Sequence, residues 1–186
     1  MVQDKQPIYD EDVERPTPAP HEVLIEVAYA GVNRADLFQA QGKYPPPEGA
    51  SGLLGLEVSG TIIEVGNQVT DFSTGDEVCA LLEGGGYAQY ARVAASQLLP
   101  IPNGWSVREA GALPEALYTV WLALFHTAKV KEGETVLIHG GASGIGSMAS
   151  QMIAAAGATA ITTASTKEKC ALAILWRERK LFLQRQ

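Results

Sequence analysis

Six consecutive residues, Gly141-Ala142-Ser143-Gly144-Ile145-Gly146, carry the clearest chemical instruction in the chain. They approximate G-x-G-x-x-G, with Ser143 where a glycine often stands. Such a loop needs glycine where the chain turns tightly, where backbone nears a pyrophosphate, and where a helix packs on a strand. A helix N-terminus then offers unpaired N–H groups and the positive end of its dipole to an anion. Taken alone, the pattern is equally an ordinary glycine turn. Its context adds weight. TVLIH, before it, reads as a strand. Ser147 to Ala156 reads as a helix, with Gly157 as the residue that ends it. ATAITTA reads as a second strand. A β-α-β unit built around a glycine loop points to dinucleotide binding.

The second strand bears on which dinucleotide. NAD-binding folds usually place Asp or Glu about 20 residues after the first glycine, against the ribose 2′-hydroxyl. Here that region is Thr162-Thr163-Ala164-Ser165, with Lys167 and Lys169 beyond. A carboxylate there would repel a 2′-phosphate, whereas a hydroxyl and a lysine would hold it. The expected cofactor is NADPH, with Ser165 and Lys169 at its 2′-phosphate. Either lysine alone is also what a solvated helix face carries.

The elements that must position this loop follow from patterning. The chain has 186 residues, 46% hydrophobic and 19% charged, which suits one domain or one and a part. Its net charge of -7, without a basic run before the C-terminus, excludes an ordinary nucleic-acid binder. No apolar run approaches the roughly 20 residues of a membrane span. Cys79 and Cys170 define neither a disulfide framework nor a metal spacing, which fits a reducing cytoplasm.

Up to about residue 105 the chain reads as β-rich. HEVLIEVAYAGV alternates as a half-buried strand does, NRADLFQAQG reads as a short helix closed by Gly42, and YPPPEGASG is a loop. EVSGTIIEVG, EVCALL and the segment after GGGY are further strands, so a barrel or sandwich is expected. From Ser106 the period changes. SVREAGALPEALYTVWLALFHTAKV reads as two helices, the first capped by Ser106 with Glu109, the second starting near Pro114. His21, His126 and His139 have no nucleophile or metal partner in sequence; His139 falls at a strand end beside the glycine loop.

Three longer stretches, GVNRADLFQAQGKYPPP, GLEVSGTIIEVGNQVTDFSTGDEV and TVLIHGGASGIG, resemble the medium-chain dehydrogenase/reductase superfamily. They are most similar to its zeta-crystallin-like quinone oxidoreductases, over residues from about Val23 to about Ile174. The resemblance implies an α/β chain: a GroES-like β-rich catalytic domain (1–105) followed by the first part of a Rossmann domain (106–186). Zinc-dependent members carry a cysteine ligand where this chain has Asn33 and a histidine where it has Leu56. Neither replacement is a zinc ligand, and the remaining Glu57 is a single carboxylate. No metal is therefore expected. The implied reaction is reduction of quinones or similar electron-poor acceptors, with an enoyl reductase as the alternative. The matching acceptor-site positions are Asn33, Asp36 and Tyr44, and Thr119 falls near the nicotinamide. From residue types alone, Asn33 is also a turn residue, Asp36 an early helix residue and Tyr44 a loop residue packed on proline.

The resemblance further implies a homodimer and a longer chain than this one. Around Leu175-Trp176-Arg177-Glu178 the text departs from the family pattern. A one-base shift would restore Gly-Ala, so the tail from about 175 reads as out of frame and the chain as truncated after two Rossmann strands. MVQDKQPIYDEDV likewise does not read as the usual first strand. An inactive fragment is the third reading of function.

Overall fold

The structure is a computed structural model that describes residues 2–3, 6–7, 12–175 and 182–184. It divides into two compact units, Met1–Glu115 and Ala116–Gln186.

The first unit is built on a five-stranded antiparallel sheet in the order β6-β3-β4-β5-β7. Its strands are β3 (Glu22–Ala30), β4 (Glu57–Val65), β5 (Glu77–Leu81), β6 (Tyr90–Ala94) and β7 (Leu98–Pro100). Two-residue strands β1 (Val2–Gln3) and β2 (Gln6–Pro7) pair with each other, apart from this sheet. The alternation legible in sequence becomes one core face. Val23 and Ile25 meet Val58, Ile62, Val78, Ala80, Ala91 and Val93, all buried. Fully burying a side chain of this kind contributes roughly 1.5–3 kcal/mol, which is why the period of two fixes the register. Gly60 is required where β4 crosses β3, because a Cβ there would meet the carbonyl oxygen of Glu26.

Helix α1 (Arg34–Ala40) follows β3, with Asn33 as its N-cap and Gly42 in the left-handed region (φ 70°) just after it. Helix α2 (Val107–Ala110) is a single turn, capped as expected: Glu109 N–H donates to Ser106 Oγ, and Ser106 N–H to Glu109 Oε2. It packs on β4 and β5 and belongs with the first unit. The second expected helix starts at Pro114 as α3 (Pro114–Trp121). It then widens into a π-helical turn, Leu122–Thr127.

The second unit has a parallel sheet, β10-β9-β8, of β8 (Thr135–His139), β9 (Thr159–Ala164) and the short β10 (Phe182–Gln184). Two strands were expected from the sequence; β10 alongside β9 makes three. The departing text at residues 176–181 lies outside the described residues. Helix α4 (Gly144–Ala155) connects β8 to β9, and α5 (Lys167–Leu175) follows β9. The sequence places the start of α4 at Ser147, but it begins three residues earlier. Ser143 is its N-cap, with Oγ accepting from Gly146 N–H at 3.0 Å. Gly157, at φ 73°, ends it as expected. No helix among the described residues is long and apolar enough to cross a membrane.

Candidate active site

Two clusters carry chemistry, one in each unit. In the first, β3 runs into α1 through Gly31, and β4 opens on Glu57. This places a buried carboxyl against the helix start. Asn33 Nδ2 donates to Glu57 Oε1 at 2.7 Å, and Glu115 N–H donates to Glu57 Oε2 at 3.0 Å. Asn33 N–H donates to Asp36 Oδ2 at 2.7 Å, as an N-terminal helix amide does to an early carboxylate. The Tyr87 hydroxyl lies 2.8 Å from that same oxygen and 3.2 Å from the Gly31 carbonyl oxygen. Asp36 and Glu57 are 3% and 2% exposed. Asp36 Oδ1 is buried without a hydrogen-bond partner.

Burial dominates the electrostatics. It raises the Glu57 carboxyl above its ordinary value, against the pull of the Glu115 and Asn33 hydrogen bonds. It raises Glu115 too, helped by the charges of Glu57 and Asp36. Tyr87 is pushed up by burial and then by its bond to Asp36, so it is held as a neutral phenol. The buried Cys79 thiol is pushed up to about 11 by burial and by Glu57, which makes it an inert core residue. Among the described residues, no group of three or more His, Cys, Asp or Glu side chains is placed to hold a metal ion.

Asn33 and Asp36 are thus brought together. Tyr44 is not: it stands half-exposed on the loop after α1 and makes no hydrogen bond among the described residues. The sequence missed Tyr87, whose partner lies 51 residues away. It also treated Glu57 only as a failed zinc ligand. The one sequence hint for Tyr87 is the preceding glycine run. Gly55 and Gly86 pack backbone to backbone there, and a Cβ on Gly55 would stand 2.5 Å from Tyr87 N.

In the second unit, the glycine loop closes over the end of β9. Gly140 and Gly141 N–H both donate to the Thr163 carbonyl oxygen, at 3.0 and 2.9 Å. His139 Nδ1 lies 3.1 Å from Thr163 Oγ1. A Cβ on Gly141 would stand 2.6 Å from Thr162, and one on Gly146 would stand 2.7 Å from Gly141 Cα. Gly144 differs, since a Cβ there meets open space. Ser143, Gly144 and Ile145 are exposed, and first-turn N–H groups have no intrahelical partner. Past β9, Lys169 Nζ lies 3.4 Å from Ser165 Oγ. Ala142 is half-buried within the loop, and Thr119 is exposed on α3.

The alcohol dehydrogenase GroES-like domain family matches residues 19–103, which hold the five-stranded sheet and the Asn33–Glu57 cluster. The quinone oxidoreductase of Mus musculus is 36% identical over 158 residues, 84% of this chain and 48% of that protein. The chain belongs to the medium-chain dehydrogenase/reductase superfamily. Two solved superfamily structures are similar. CurK enoyl reductase has a TM-score of 0.83 at 33% identity, over 94% of this chain and 55% of that one. Escherichia coli quinone oxidoreductase complexed with NADPH has a TM-score of 0.77 at 31% identity, over 89% and 51%. The chain thus spans about half the length of the superfamily members it matches.

Proposed function

We propose that this chain carries the acceptor and cofactor residues of an NADPH-dependent, zinc-independent reductase of quinones or similarly electron-poor acceptors. The observation that carries this reading is Gly144. The packing of the loop accounts for Gly141 and Gly146, but nothing in the fold demands glycine at 144. An open space over an exposed helix start, kept free of side chain, fits a pyrophosphate approaching the backbone.

NADPH would supply a hydride. The first-turn N–H groups of α4 other than that of Gly146, which Ser143 takes, would bind the pyrophosphate, with Gly141, Ala142, Ser143, Ile145 and Gly146 shaping the turn. Ser165 and Lys169 would hold the 2′-phosphate, in a region without the carboxylate that favours NAD. Thr119 is assigned to the nicotinamide side. An acceptor oxygen that gains charge needs a donor. Asn33 offers one N–H, since its other is given to Glu57. Asp36 holds the Asn33 backbone, and the Tyr44 phenol is the second assigned donor. Asn33 and Leu56 offer zinc no ligand, and an acceptor that takes hydride into a conjugated system needs none.

The likeness to CurK enoyl reductase favours a second reading, hydride transfer to an activated C=C bond at the same site. Titration with NADPH and NADH, followed by NADPH consumption with a quinone and with an enoyl thioester, tests both. The expected result is tighter binding of NADPH than of NADH and turnover with the quinone. Turnover with the thioester alone selects the enoyl reductase. A folded chain that binds neither cofactor overturns both and leaves an inactive fragment.

A further inference from the structure

Glu57 is among the most deeply buried polar residues of the first unit, and it makes no ion pair among the described residues. Its two oxygens are both engaged by N–H donors, Asn33 Nδ2 at 2.7 Å and Glu115 N at 3.0 Å. The wall behind it is backbone: a Cβ on Gly31 would collide with Oε1. Gly31, having no side chain, leaves the room in which the carboxyl sits against Asn33. A carboxylate offers two acceptor atoms and no donor, which matches two N–H groups. A glutamine would offer one acceptor and one donor, and would leave one of the two N–H groups facing another donor.

We infer that Glu57 is a positioning residue for acceptor binding, acting through Asn33. It takes one N–H of the Asn33 amide, fixes the amide plane, and so fixes the direction of the N–H left for a ligand. Through the Glu115 amide it anchors that geometry to the backbone. The inference rests on the assignment of Asn33 to the acceptor. An amide immobilised before binding spares the ligand the ordering of one side chain, roughly a 2- to 10-fold effect on affinity. Glu57 itself touches no acceptor in this role.

The test uses the full chain labelled with 15N, and reads the Asn33 side-chain amide and the Glu115 backbone amide in wild type, Glu57→Gln and Glu57→Ala. Asn33→Ser assigns the first resonance, and the amide map of the five-stranded sheet verifies folding. Affinity for 9,10-phenanthrenequinone, which has no ring position open to thiol addition, is measured on the same samples by calorimetry. Glu57→Gln is expected to move at least one of the two resonances, and Glu57→Ala both. Glu57→Ala is expected to weaken the quinone roughly 2- to 10-fold, with no further loss when added to Asn33→Ser. A purely structural role would give the same loss in both backgrounds, and that result overturns the inference. Unmoved resonances in Glu57→Gln, which preserves volume if Glu57→Ala does not fold, also overturn it. A wild-type chain that binds NADPH but no quinone defeats the acceptor assignment and this role with it, while the resonances still show whether the clamp on Asn33 exists.

Discussion

In β4, four consecutive residues from Glu57 to Gly60 are buried; in β8, none is. Both segments, EVSGTIIEV and TVLIH, read as strands in sequence. The first sits mid-sheet with a closed core on one side and α2 on the other. The second is an edge strand of a parallel sheet, with Leu137 at its centre 54% exposed. Leu172 and Ile174 on α5, Trp121 at the end of α3 and Leu122 in the π-helical turn after it are likewise exposed. Parallel strands normally have both faces covered. The Asn33–Glu57 cluster therefore stands on a core that carries its own stability. The glycine loop stands on a sheet that α4 covers and whose Leu137 side is open.

The sharpest way to break this contrast is to delete the same kind of side chain from each unit. Ile62 is fully buried against Val23, Ile25 and Val78. Ile62→Ala should cost about 2–5 kcal/mol in urea denaturation, because the surrounding sheet cannot collapse into the cavity. Leu137→Ala should cost about 1 kcal/mol or less, since much of that side chain is already in water. Equal losses would mean that β8 is covered in solution.

The same contrast explains what was legible in the sequence. HEVLIEV could be read because one closed face imposes a period of two, and Ser106 with Glu109 because a capping box is local. The start of α4 is hard to read because glycine is a poor helix former, and Gly144 and Gly146 mask the first turn. The cap at Ser143 gave little help, since its N3 position is Gly146 rather than an acid that would complete a capping box. Tyr87–Asp36 and Asn33–Glu57 link residues 51 and 24 positions apart, and no periodicity encodes such pairs. The widening of α3 at Leu122 also has no pattern in its text.

Within the glycine loop, two substitutions separate packing from binding. Gly146→Ala should cost about 2–3 kcal/mol, because its Cβ would press on the Gly140–Gly141 backbone. Gly144→Ala should leave thermal stability unchanged or raised by up to about 1 kcal/mol. Its expected loss is in NADPH affinity, measured by fluorescence titration. If Gly144→Ala binds NADPH as wild type does, the space over α4 is not the pyrophosphate site.

In the Asn33–Glu57 cluster, burial has lifted Glu57 and Glu115 above the ordinary carboxylate value of 4.5. A carboxyl raised in the folded state contributes stability that is present below its unfolded pKa and is lost as pH rises through the folded value. The contribution of these two carboxyls should therefore fall as pH climbs from about 4.5, the reverse of Glu109, which its bonds to Ser106 hold below the ordinary value. Asn33→Asp sharpens this trend, because it sets a second carboxyl against Glu57 where an N–H now stands. The pair must share one proton, so the raised values climb further and the variant should lose roughly 1–3 kcal/mol more at neutral pH than in mild acid. Urea midpoints across that range decide it, and a pH-independent penalty would mean that the two side chains part on substitution.

The smallest expected effect lies on the open side of the contrast, at Lys169. Its ammonium is solvent-exposed and lies 3.4 Å from Ser165 Oγ, so it holds little of the fold together. Lys169→Ala should leave stability within about 0.5 kcal/mol of wild type. A charge-assisted contact to phosphate is worth about 1.5–3 kcal/mol in a sheltered site and less in water, so NADPH affinity should fall roughly 3- to 10-fold. NADH, which lacks the 2′-phosphate, should bind as before, and the NADPH loss should shrink as salt screens the charge. An equal fall for both cofactors would move Lys169 from the 2′-phosphate to the shared part of the dinucleotide. The choice of NADPH would then rest on Ser165 and on the missing carboxylate alone.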